Sequence, residues 1–221
     1  MTRQQAVRGR FYRRIRGRLP IYRGIDQQIP YITQNGDLGY EPLERIETLL
    51  SPTLFCLPDR PSVFTPIRHE FATLLLGHSR QTSLLPAPAS NLFQERHFLS
   101  GPNSFHHLKR GTLILFYESH HRRSRGELVA IARVRRSYLK DSAALEATDL
   151  AQSVLTTETL PEIGRAAMKT VTVFDNVFPL PFPISLDRIQ TLGCGRPMDL
   201  ITTRRISDTQ LQAILAEAFK A

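Results

Sequence analysis

The chain has 221 residues, 41% of them hydrophobic, and 29 Lys and Arg against 20 Asp and Glu give a net charge of +9. That length suits one domain with an appendage and a sizeable core, and no run of about 18 apolar residues marks a membrane-spanning helix. Cys56 and Cys194 stand far apart with no C-x-x-C cluster, so each reads as a small buried apolar residue in a reducing cytoplasm and not as half of a zinc site.

Residues 1–23 hold eight arginines and no Lys, Asp or Glu. The remaining residues carry 21 basic against 20 acidic side chains, so the basicity belongs to an arm and the body is nearly neutral. Guanidinium groups make planar, bidentate contacts with phosphate. With Phe11, Tyr12, Ile15 and Tyr22 interleaved, the arm reads as a nucleic-acid contact through Arg8, Arg10, Arg13, Arg14, Arg16 and Arg18. An acidic partner protein, a targeting peptide or a solvated tail would have the same composition, and these readings stand beside the first.

Pro20, Gly24, Pro30 and Asn35-Gly36-Asp37 predict turns as far as residue 40. Residues 41–50 predict an amphipathic helix with Pro42 in its first turn and Leu43, Ile46, Leu49 and Leu50 on one stripe. Leu54–Leu57 is a short apolar strand candidate, and residues 58–61 read as a linker. A helix over 68–76 is closed by Gly77. A strand is expected over 92–99, followed by the loop Ser100-Gly101-Pro102-Asn103. Thr112–Val134 holds two apolar, β-rich runs separated by His-His-Arg-Arg-Ser-Arg-Gly, a hairpin with a cationic tip, and Gly111 precedes it in a turn. Residues 141–166 are helix-prone. The last helix starts at Ser207, where Ser-x-x-Gln makes a capping box ahead of the stripe Leu211, Ile214, Leu215, Ala218 and Phe219.

From about residue 61 onward this succession resembles the PUA-like domains, the barrel group that includes ASCH and EVE modules. Val63–Phe71 is similar to their opening strand and first helix, and Thr112–Val134 to their central strands. Met168–Val177 resembles a late barrel strand, residues 185–193 a short helix, and Arg204–Asp208 the start of the closing helix. The combination is also similar to the PUA-like domain at the C-terminus of some GNAT-type acetyltransferases, which lends a fold and not an activity. The resemblance implies an α+β fold, a small β-barrel flanked by helices, carrying an Arg-rich N-terminal extension. The expected division is a basic extension over 1–40, a helix and linker over 41–60, and the PUA-like domain over 61–221.

In such domains the binding groove lies between the first helix and the barrel mouth. The matching positions are Arg68, His69, Arg80 and Thr82, with Asn103, Tyr117 and Ser119 opposite and the cationic tip adding Arg122, Arg123 and Arg125. Arginine would hold phosphate, Tyr117 would stack on a base, and Asn103 or Ser119 would read its edge. Tyr117 within an apolar run also reads as core, and Arg68 and Arg80 as partners of Glu70 and Glu95. Neither His106-His107 nor His120-His121 chelates a metal from a regular strand, because adjacent side chains point to opposite faces. No nucleophile elbow or glycine-rich phosphate loop occurs. Some ASCH-type amidohydrolases use a lysine, a threonine and a glutamate; here Thr82 and Glu118 are available, but the lysine position is unfilled, and arginine stays protonated. The leading reading is therefore non-catalytic binding of RNA or DNA, a modified base included, with no cofactor, metal or membrane. The alternative is a protein-interaction subunit whose enzyme is another chain, and an ASCH-like hydrolase or nuclease comes third.

Overall fold

The computed structural model describes residues 20–76, 95–119, 126–146, 149–150, 153 and 159–220. Outside the described residues lie the arm to residue 19, the stretch 77–94 with Arg80 and Thr82, and the hairpin tip 120–125 with Arg122, Arg123 and Arg125. None of the described helices is long and apolar enough to cross a membrane.

The described part is α+β, built on a six-stranded mixed sheet. Its strands are β3 (Ser62–Ile67), β4 (Arg96–Ser100), β5 (Leu113–Glu118), β6 (Glu127–Asp141), β7 (Met168–Ser185) and β8 (Arg204–Ile206), in the order β4-β7-β6-β5-β3-β8. Only β3 and β5 pair in parallel, with Phe64 opposite Leu115, while the other neighbours are antiparallel. Register shifts between Leu128 and Ala130, Ile131 and Arg133, and Val134 and Arg136 interrupt the long β6-β7 ladder. Bulges of this kind bend a strand and raise its twist, and so curve the sheet.

Side-chain alternation in β5 divides the core in two. Leu113, Leu115 and Tyr117 face Phe64, Leu128 and Ile131 under α3 (Leu186–Thr191) and α4 (Asp208–Ala218). Ile114 and Phe116 point the other way, with Val63, Ile67 and Val134, beneath α2 (His69–Leu76). The ring of Phe116 stands edge-on to Phe98 at 5.7 Å and tilted against Phe174 at 5.2 Å. At the start of α4 the Ser207 hydroxyl accepts from the Gln210 amide at 3.2 Å, and the Gln210 side chain accepts from the Ser207 amide at 2.9 Å. This is the box expected from the sequence.

Ahead of the sheet, β1 (Gln28–Ile32) and β2 (Leu38–Pro42) form an antiparallel hairpin, followed by α1 (Leu43–Leu49). The turn-rich composition hid this hairpin. Leu54–Leu57 forms no strand, contrary to expectation, and the Phe55 amide donates instead to Glu47 Oε1 at 2.7 Å. The expected stripe on α1 is also corrected. Leu43 and Ile46 are buried, but Leu49 is 69% exposed and Leu50 49%, while the third buried position is Glu47 at 0%.

Glu47 is buried because it joins two arginines that are themselves buried. Arg60 Nη1 lies 2.5 Å and Nη2 3.2 Å from its two carboxylate oxygens, and Arg133 Nη1 lies 3.1 Å from Oε2. Arg60 Nε donates to the Gly111 carbonyl at 2.9 Å. Arg133 also forks onto Asp175 at 2.9 and 2.6 Å and reaches Thr48 Oγ1 at 3.1 Å. The charges are thus paired and their donors used, which burial of an ion requires. The cluster ties α1 to the middle of β6 and β7.

Gly111, expected in a turn, sits at φ +87° against the N-terminal segment. A Cβ there would overlap Tyr22 Oη and lie 2.9 Å from Ile25 Cβ. Gly111→Ala should therefore destabilise the chain by roughly 1–3 kcal/mol. A denaturation midpoint equal to wild type would show that the Tyr22–Ile25 segment packs elsewhere in solution.

Candidate ligand-binding cleft

A cavity of about 700 Å³ opens between α2, the end of β4 and the turns that precede β8. This volume is within the range of small-molecule sites. Its apolar wall is Phe71, Leu75, Phe98 and Leu99, and hydroxyl groups of Thr65, Ser100, Ser104, Ser119, Thr202 and Thr203 line the rest. Among the described lining residues there is no Asp or Glu, and Arg68 supplies the one fixed charge.

Each side chain is set by its local structure. Arg68 lies between β3 and α2, its guanidinium 5.9 Å from the centre of the Phe71 ring and its Nε 3.8 Å from Glu70. The 3-10 turn Pro102–His106 follows β4, and Thr170 Oγ1 holds its start by donating to the Gly101 carbonyl at 3.0 Å. Ser104 Oγ donates to Thr203 Oγ1 at 3.1 Å, and Thr65 Oγ1 is 3.5 Å from the same oxygen. Three elements thereby meet through one hydroxyl cluster. His107 follows the turn, and its amide donates to the Ser104 carbonyl at 3.0 Å. Burial, then the positive field of Arg205 and His106, lowers the imidazole pKa below its ordinary value.

Of the residues expected from the sequence, the structure brings Arg68, Asn103 and Ser119 to this cleft. His69 stands at the first position of α2 with Nδ1 2.9 Å from Glu118 Oε1. Glu118 is 1% exposed, so the carboxylate weighed as a candidate acid is a buried partner of His69. Tyr117 is not among the lining residues. It is 4% exposed in the core on the α3–α4 side, where its ring packs with Leu115 and Leu128 and offers no open face for stacking. Glu95 is 3.5 Å from Arg135 and 3.9 Å from Arg136.

Sequence reasoning missed Thr65, Phe71, Phe98, Ser104 and Thr203, which come from separated segments and share no spacing. His106 is exposed, but His107 is half-buried in the cleft wall. A second missed group joins His97, Tyr138 and Lys140 around Asp149, at 3.4, 3.0 and 2.7 Å. Among the described residues, no three His, Cys, Asp or Glu gather as a metal site would require.

No protein-family model matches the sequence, and no curated protein matches it. Solved structures do match. The ASCH protein from Zymomonas mobilis aligns with TM-score 0.50 at 14% identity, over 72% of this chain and 96% of that one. Human THYN1, solved in complex with 5-methylcytosine-containing DNA, aligns with TM-score 0.42 at 11% identity, over 73% and 99%. At 14% identity the likeness to the Zymomonas mobilis protein is one of fold. The six-stranded mixed sheet and its flanking helices are similar to those of ASCH-domain proteins, the PUA-like group that the order of elements in the sequence resembles.

Proposed function

We propose that the protein binds RNA or DNA without acting on it chemically, with the arginine arm on the phosphates and the cleft holding a base. One observation carries this reading: the described lining of the cleft is aromatic, aliphatic and hydroxyl-bearing, with Arg68 at its edge and no carboxylate. Such a wall suits a flat, uncharged ring, and a guanidinium beside it suits a phosphate. Paired carboxylates or a metal, which hydrolysis of a phosphodiester or glycosidic bond commonly uses, have no place in that lining. Residues 1–40 then serve as the basic extension, 41–60 as its attachment, and 61–221 as the binding domain with Arg68, His69, Asn103 and Ser119 near the ligand. Arg80, Thr82, Arg122, Arg123 and Arg125 would add contacts from the segments beside it.

Removal of residues 1–23 tests the electrostatic half. Eight arginines give a ceiling of eight phosphate contacts. The truncated chain should lose affinity for every oligonucleotide, and its slope of log K against log salt should flatten by at most about 6–7 units. An unchanged slope would remove the arm from the mechanism. Arg68→Ala should weaken only the binding that survives the truncation.

A further inference from the structure

Among the described residues, six buried side-chain polar atoms have no hydrogen-bond partner, and two of them, Ser100 Oγ and His107 Nδ1, belong to residues that line the cleft. An unpaired buried polar atom weakens a fold, so native structures seldom retain one without a reason. The neighbouring hydroxyls differ, since Ser104, Thr65 and Thr203 already share hydrogen bonds with one another. The main chain that carries each unpaired atom is held in position. Ser100 ends β4, paired with Thr170 of β7, and His107 is fixed by its amide bond to the Ser104 carbonyl.

We propose that Ser100 and His107 are the specificity-determining residues of the cleft, hydrogen-bonding the uncharged polar edge of one unpaired base. This rests on the nucleic-acid reading above and deepens it. A hydroxyl can donate or accept, and a neutral imidazole has one donor and one acceptor nitrogen. Together they match the adjacent N–H and C=O or ring-nitrogen groups along a base edge. The lowered pKa of His107 agrees with a neutral ring at neutral pH. A phosphate on these two atoms would lack a cation, since Arg68 is the only fixed charge among the described lining residues. The backbone therefore stays at the rim and the base turns inward.

The test uses the full chain and fluorescently labelled single strands of equal length, in DNA and RNA form: oligo-A, oligo-C, oligo-T or oligo-U, and an abasic strand. Wild type should prefer one base over the others by on the order of tenfold, the worth of about one well-made hydrogen bond. His107→Ala and Ser100→Ala should each flatten that preference, with abasic-strand affinity and melting temperature unchanged. His107→Asn, which keeps a polar atom near the Nδ1 position, should restore part of it. Equal wild-type affinity for all base-bearing strands, or a preference that both alanine variants retain, overturns the proposal while leaving the nucleic-acid reading in place. No binding to any strand, abasic included, overturns both.

Discussion

Glu47→Ala should be among the most damaging single substitutions in this chain, lowering stability by about 3–5 kcal/mol. Its carboxylate is the acceptor that Arg60 and Arg133 share, and all three side chains have no solvent exposure. Removal leaves two guanidinium groups buried near one another, with only Asp175 left to answer Arg133. Water cannot reach them without opening the contact between α1 and the sheet. For a chain of this size the loss corresponds to a melting temperature lower by roughly 6–20 °C. Arg45 and Glu41 give the contrast: their contact is 3.4 Å, but the Arg45 side chain is 65% exposed, and Arg45→Ala should change little. A Glu47→Ala melting curve superimposable on that of Arg45→Ala would mean that the buried cluster does not form in solution.

Leu115→Ala is the second large expected effect, at about 2–5 kcal/mol. Leu115 is 1% exposed at the centre of β5, opposite Phe64 of β3 on one side and Ile131 of β6 on the other. Strands flank it on both sides and helices cover it, so the surroundings have little freedom to collapse into the cavity left behind. Ile131→Ala, at 3% exposure in the same cluster, should cost a comparable amount. Because the two side chains face each other, the double variant should fall short of the sum of the single effects. Chemical denaturation of the three variants checks this, and full additivity would mean that the pair is not in contact.

The central strands were legible because both of their faces are buried. Leu113–Glu118 and the first half of β6 read as short apolar runs rich in β-branched and aromatic residues between turn residues, the pattern of a strand covered on both faces. The capping box at Ser207 was legible because it is local, a hydrogen-bond pattern written within four residues. The ends of the two long strands were hidden. β6 continues through Arg135, Arg136 and Lys140, and β7 through Pro179, Pro181 and Pro183, where composition argues against a strand and only the long ladder maintains it. The hairpin β1-β2 was concealed by Pro30, Gly39 and Pro42. Glu47 misled the helix reading for a different reason. Its burial depends on partners 13 and 86 positions away, which no periodicity within α1 records. The cleft suffers from the same limitation: Arg68, Asn103 and Ser119 were found through a resemblance, whereas Ser100 and His107 stand out only once the hydrogen bonds around them are traced.

The Glu47 cluster also determines where the arginine arm begins. The chain leaves the arm through Tyr22, whose amide donates to the Pro58 carbonyl at 2.8 Å and whose ring lies 5.5 Å from the Arg60 guanidinium. Arg60 is in turn fixed by Glu47, so the root of the arm is anchored to the sheet and cannot wander with a loose linker. On the reading proposed above, a strand that engages the cleft meets the seven arginines ahead of Tyr22 at a raised local concentration. Cutting the anchor without cutting the chain, as Glu47→Ala would do in any fraction that remains folded, should reduce cooperation between arm and cleft while leaving every arginine in place.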